Sequence, residues 1–139
     1  MKIASLMGSA LLLYGTWMAC AQGTRSTADG VFTEEQAKKG EAVYQSRCAS
    51  CHGADLHSTD PEATDLTDAA FKFGWQGKTI AEKFTVIRDT MPPKRSSSID
   101  DQTYLDVVTY ILRFNKIPTG NQRLEPDPQI LKEIVISVP

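Results

Sequence analysis

The sequence predicts an all-α protein of about four helices. Three observations predict it. Apolar residues recur at helical spacing in separate stretches, and hydroxyl and acidic cap signatures precede those stretches. Cys48-Ala49-Ser50-Cys51-His52 places its three reactive side chains at i, i+3 and i+4, on one face of a helical turn.

The first helix opens at Thr33. Glu34, Glu35 and Gln36 fill its first turn, and Thr33 with Gln36 forms a capping-box pattern. Ala37, Gly40 and Tyr44 then share a face. Glycine inside a helix costs about 1 kcal/mol against alanine, so Gly40 points to a close crossing by another helix. The loop after the Cys/His turn carries Asp55, Asp60, Glu62, Asp65 and Asp68 with no Lys or Arg among them. It reads as a solvated face, with a partner surface as the alternative. Phe73 to Lys78 is turn-rich. A second capping box, Thr79 and Glu82, starts the next helix, whose stripe Ile80, Phe84 and Ile87 leads to Met91. Ser98 and Asp101 cap the last main helix, with Tyr104, Leu105, Val107, Val108, Ile111 and Leu112 on a broad apolar face. In the tail, Asp127 and Pro128 suit the N-cap and N1 positions of a short helix, and Ile130, Leu131, Ile134 and Val135 would pin it to the body.

The chain of 139 residues with net charge -2 is long enough for one small domain and gives no sign of nucleic-acid binding. Residues 1–21 read as a secretory signal: Lys2, a mostly apolar run, then Ala19-Cys20-Ala21 as a small-x-small cleavage site. Residues 22–31 read as a flexible leader, 32–115 as the domain, and 116–139 as a C-terminal extension packed on it. Cys20 leaves two exits open. Cleavage after Ala21, the reading adopted, removes it and leaves only two cysteines in an oxidising compartment. Cleavage before Cys20, in a loose lipoprotein box, would lipidate it and anchor the protein to a membrane.

C-x-x-C-H is the signature for covalent attachment of a c-type haem. Cys48 and Cys51 would bind the two vinyl groups of one porphyrin, and His52 would be the proximal iron ligand. A thioredoxin-like pair would need a βαβ context, and a zinc site a second pair of ligands; neither is present. The second axial ligand follows by elimination. Met1, Met7 and Met18 lie in the signal, so Met91 is the remaining methionine. Pro92 and Pro93 stiffen the backbone just past it, as a weak thioether ligand requires. The alternative for Met91 is a core filler. His57, five residues past His52, reads as a surface residue.

From Phe32 to Asn115 the chain resembles the class I cytochrome c family, in the order helix, C-x-x-C-H, loop, helix, Met-Pro, helix. The resemblance implies a cytochrome c fold: helices around one covalent haem c, with the N- and C-terminal helices crossed. Gly40 and Tyr44 match the family's crossing pair, and Val107 and Tyr110 the positions that meet it. Leu66 matches a haem-wall leucine, while Thr64 stands where the family often has the proline whose carbonyl orients the proximal imidazole. Phe71 is expected in the haem wall. Trp75 resembles the residue that donates to a haem propionate.

With His52 and Met91 both on iron, no position is left for a substrate. The expected function is a periplasmic carrier of single electrons, not an enzyme, binding redox proteins transiently. A quinoprotein dehydrogenase and a terminal oxidase are the partner classes considered. Val31 to Lys39 and the tail look similar to small cytochromes beside quinoprotein dehydrogenases, which makes a dedicated acceptor subunit one alternative. A haem sensor or peroxidase-like protein with an open sixth site is the other. Lys94 and Arg95, just past Met91, are candidates for steering an acidic partner.

Overall fold

In the computed structural model, residues 24–93 and 99–139 are described. The signal at 1–21, Cys20 within it, and the candidates Lys94, Arg95 and Ser98 lie outside them. The described elements run β1 (Arg25–Ser26), a 3₁₀ turn (Thr27–Asp29), α1 (Glu34–Arg47), α2 (Ala49–His52), α3 (Asp68–Trp75), α4 (Ile80–Thr90), α5 (Asp101–Phe114), α6 (Pro128–Glu133) and β2 (Ile134–Val135). The fold is all-α apart from one short parallel pair, β1 with β2.

The crossing of α1 over α5 organises the core. At Gly40 an added Cβ would lie 1.8 Å from the backbone oxygen of Asp106 and 2.8 Å from the Val107 nitrogen, so only glycine allows this approach. One turn on, Tyr44 packs on Tyr110 with ring centroids 5.2 Å apart. Phe32, Ala37, Leu105, Val108 and Leu112 fill the surrounding interior. At the polar ends of this contact Arg113 pairs with Glu34 and Glu41.

The helix starts differ in part from expectation. Thr79 and Glu82 form the full capping box. At Thr33 half the box forms: its hydroxyl accepts from the Gln36 amide at 3.1 Å. The Gln36 side chain turns inward instead, donating to Asp106 Oδ1 and to the Leu124 carbonyl, each at 2.9 Å. Its oxygen accepts from the Leu124 amide at 2.9 Å, so this buried amide joins α1, α5 and the C-terminal extension. The N-cap of α5 is Asp100, accepting from Thr103 N at 2.9 Å, and Asp101 is the first helical residue.

The segment expected to be a flexible leader differs from that reading over its described part. Arg25 and Ser26 pair with Ile134 and Val135, Thr27 is buried, and its hydroxyl accepts from the Ser137 amide at 3.0 Å. The physical reason lies at the other end of the chain, where the extension supplies a strand edge. That extension also meets the turn ahead of α4: the Ile136 amide donates to Lys78 O at 2.8 Å, and the Ile136 carbonyl accepts from Gly77 N at 2.9 Å. Leu131, Ile134 and Ile136 are buried there, whereas Ile130 is exposed.

The turn-rich reading of Phe73 to Lys78 also changes, because α3 runs to Trp75. Phe71 and Trp75 lie one turn apart on its buried face and stack at 5.0 Å, while Phe73 points outward and is 94% exposed.

Candidate haem site

The Cys/His turn hangs from the end of α1. Cys48 is the C-cap, its amide donating to Tyr44 O at 2.8 Å, and α2 follows as a single turn. Gly53 stops that turn at φ +76°, where a Cβ would sit 2.0 Å from the His57 backbone oxygen. The Tyr44 hydroxyl donates to the Gly53 carbonyl at 2.9 Å and has the His52 carbonyl at 3.2 Å. Burial pushes the Tyr44 pKa well above its usual value, so this donor keeps its proton.

His52 Nδ1 lies 2.9 Å from the Thr64 carbonyl oxygen. A carbonyl only accepts, so Nδ1 carries the proton and Nε2 keeps its lone pair. Nε2 makes no hydrogen bond among the described residues. The family's proline is absent, yet its role needs only a backbone oxygen, which threonine provides. The loop around Thr64 is held at several points. Leu66 N donates to Leu56 O at 3.0 Å, Asp65 accepts from Thr67 N at 2.8 Å, and Asn115 Nδ2 donates to Leu66 O at 2.9 Å. The Thr67 contacts hold the Asp65 carboxyl below its usual range.

Beside this turn opens a cavity of about 390 Å³. Cys48, Cys51 and His52 line it from α1 and α2; Met91, Pro92 and Pro93 line it from the end of α4. Val43, Leu66, Trp75, Ile87, Val107 and Ile111 make much of the remaining wall. Met91 is the C-cap of α4, its amide donating to Ile87 O at 2.9 Å. Its carbonyl accepts from the Tyr104 hydroxyl at 2.8 Å, which ties the methionine loop to α5. Burial pushes the Cys48 thiol up to about 11, so before haem attachment it is a neutral thiol.

Of the residues expected at the site, Phe71 is the one that does not line this cavity; it backs Trp75 by stacking against it. His57 is exposed outside it, hydrogen-bonded to Thr67 Oγ1 at 2.9 Å with Asp65 Oδ2 at 3.2 Å. Tyr104 and Lys83 line the cavity without having been singled out. Tyr104 carried no signal beyond its place in an apolar stripe, and Lys83 none beyond a charge on a helix.

These residues fit haem c. Apolar walls suit a porphyrin, two thiols stand at helical spacing beside an imidazole, and that imidazole offers an unshared nitrogen pair. No helix among the described residues is long and apolar enough to cross a membrane.

Residues 35–111, more than half of the chain, match the family described as cytochrome c oxidase, cbb3-type, subunit III. Over 74 residues the chain is 30% identical to the cbb3-type cytochrome c oxidase subunit CcoP of Cereibacter sphaeroides, covering 52% of this chain and 26% of that protein. It thus spans about a quarter of the length of that curated relative. No solved structure matches it. The matched segment begins in the first turn of α1 and ends in α5, so it holds both the helix crossing and the Cys/His turn. The chain therefore belongs to the cytochrome c oxidase, cbb3-type, subunit III family, as a c-type cytochrome domain that carries covalent haem c and transfers electrons.

Proposed function

We propose that this protein is an exported, periplasmic carrier of single electrons with one haem c, attached through Cys48 and Cys51 and ligated axially by His52 and Met91. The observation that carries the reading is the shared cavity, which brings both thiols, the Nε2 lone pair of His52 and the methionine loop to one apolar space. Haem c supplies a ferrous/ferric couple, and His/Met ligation raises its potential.

The chain's own residues do the rest. The Thr64 carbonyl fixes the His52 tautomer and ring orientation and makes the imidazole a stronger donor. Tyr104 and the two prolines hold the Met91 backbone, so a weak thioether bond is not asked to order the loop. The apolar walls keep water out, which disfavours the extra charge of the oxidised state. Two committed axial side chains leave no room for a substrate, so the protein acts as a carrier and not as an enzyme. Its redox partners bind transiently, through small interfaces. The likeness to CcoP, named as an oxidase subunit, favours a terminal oxidase over a quinoprotein dehydrogenase as partner.

An absorption spectrum tests this directly. Expressed with haem c maturation machinery, the oxidised protein is expected to show a weak near-red sulfur–iron band, and Met91→Ala to lose it while keeping covalent haem. Covalent haem without the band in the wild type, together with carbon monoxide binding to the reduced form, would replace the carrier with a sensor or peroxidase-like protein.

A further inference from the structure

Among the described residues, Lys83 is a cation on an apolar wall without a carboxylate partner. It is half-buried on the cavity side of α4, and its Nζ stands 5.4 Å from the centroid of the Trp75 ring. Among the described residues it forms no ion pair, whereas Lys39, Lys78, Arg113 and Arg123 each have a carboxylate. The acid beside it in sequence is already engaged: Glu82 accepts from Thr79 N at 2.7 Å and pairs with Lys78. Burial first, then Lys78, pushes the Lys83 pKa down, and Glu82 opposes this only in part. Partial removal of an unpaired charge from water carries a cost that a ligand of opposite charge relieves. The other charged groups along the cavity do not compete for an anion in the same way. Arg47 is exposed beside Cys48, and Asp60 and Glu62, on the loop between His52 and Thr64, repel one.

Haem is a dicarboxylic acid whose two propionates leave the ring on one edge. We propose that Lys83 receives a haem propionate, so that the carboxylate edge lies at the wall formed by Trp75 and Lys83, and that this ion pair raises the reduction potential. The proposal rests on reading the cavity as the haem c site. Lys83 acts here as a positioning residue. An unopposed propionate favours ferric iron by its negative charge, and the ammonium cancels that charge. Since Lys83 lies on α4 and Met91 is that helix's C-cap, the pair also ties α4 to the group that Met91 would ligate.

The test uses the holoprotein with Lys83→Gln and Lys83→Arg, measured by redox titration alongside the near-red band. Lys83→Gln is expected to keep the band and to lower the midpoint. At the wild-type midpoint its ferric-to-ferrous ratio should rise about three- to tenfold, tenfold being about 59 mV for one electron. Lys83→Arg should stay within about twofold of wild type. An intact band with an unchanged midpoint in Lys83→Gln overturns the proposal. So does an equal fall in both variants, which would make shape and not charge the cause. If Lys83→Gln fails to retain haem, normal retention by Lys83→Arg supports the ion pair and failure of both overturns it. The wild-type band tests the axial reading separately, so either idea can fail alone.

Discussion

Gly40 is the point at which the α1 backbone meets that of α5. A methyl group there would lie 1.8 Å from the Asp106 oxygen, and that oxygen is backbone, so it cannot rotate away. Overpacking of this kind costs about 1–3 kcal/mol. Gly40→Ala is expected at the upper end of that range, read as a fall in the denaturant midpoint of the holoprotein with an unchanged slope. A loss below about 0.5 kcal/mol would mean that the crossing is loose. Gly40 was legible in sequence because glycine is anomalous inside a helix. The Thr64 contact was legible only in part, since the group that holds His52 is a carbonyl and any residue can supply one. Lys83 was not legible as a site residue at all. Which side of α4 meets the cavity depends on where Trp75 stands, and that is set by α3, whose glycines have the local signature of a turn.

That helix, α3, shows what local reasoning weighs wrongly. Gly74 and Gly77 bracket Trp75 and read as turn punctuation, yet the i, i+4 stack of Phe71 on Trp75 keeps the chain helical through Gly74. The stronger signals, Thr79 with Glu82 and the apolar face of α5, place their helices within a residue or two. At α5 the cap is Asp100, whose carboxyl is held below its usual range chiefly by the Thr103 amide. Asp100→Ala is expected to cost about 1 kcal/mol at pH 7. A lowered folded-state pKa means this contribution is complete above the ordinary carboxylate range and is lost as pH falls through the depressed value. Wild type and variant should therefore converge in stability at acid pH; a gap that is constant with pH would point to lost packing. Between α1 and α2 the link is Tyr44, and Tyr44→Phe removes its hydrogen bonds to the Gly53 and His52 carbonyls, leaving Gly53 with the Leu56 amide alone at 3.2 Å. A loss of about 1–2 kcal/mol is expected in thermal unfolding, with the near-red band intact.

At the scale of the whole molecule, the two ends of the described chain close on each other. Residues 25–27 and 134–137 pair side by side, and the extension reaches the turn ahead of α4 through Gly77 and Lys78 and the α1–α5 crossing through Gln36. Composition hid this pairing, because the small polar leader looks unstructured alone and the tail carries its apolar residues without marking the leader as their partner. Only their pairing gives Thr27 and Ile136 a buried place. None of the residues that line the cavity lies in the extension, so its contribution falls on stability and not on the site. A chain ending at Lys116 loses the buried Ile117, Leu124, Leu131, Ile134 and Ile136. Most of their burial energy, about 1.5–3 kcal/mol each, is offset by the ordering cost of the segment that carries them. What the body itself forfeits is smaller but uncompensated. Gln36 loses both hydrogen bonds to Leu124, and α4 loses the cover of α6 and β2. Two buried hydrogen bonds alone amount to about 2 kcal/mol, which at about 4–8 °C per kcal/mol is a fall of about 8–16 °C in Tm. The truncated holoprotein is expected to show that fall by calorimetry while its absorption spectrum matches wild type in the cold. Gln36→Ala in the full chain should reproduce part of the loss. An unchanged Tm on truncation would show that the extension rests on the domain without bracing it, and a lost near-red band would show that it reaches the methionine loop after all.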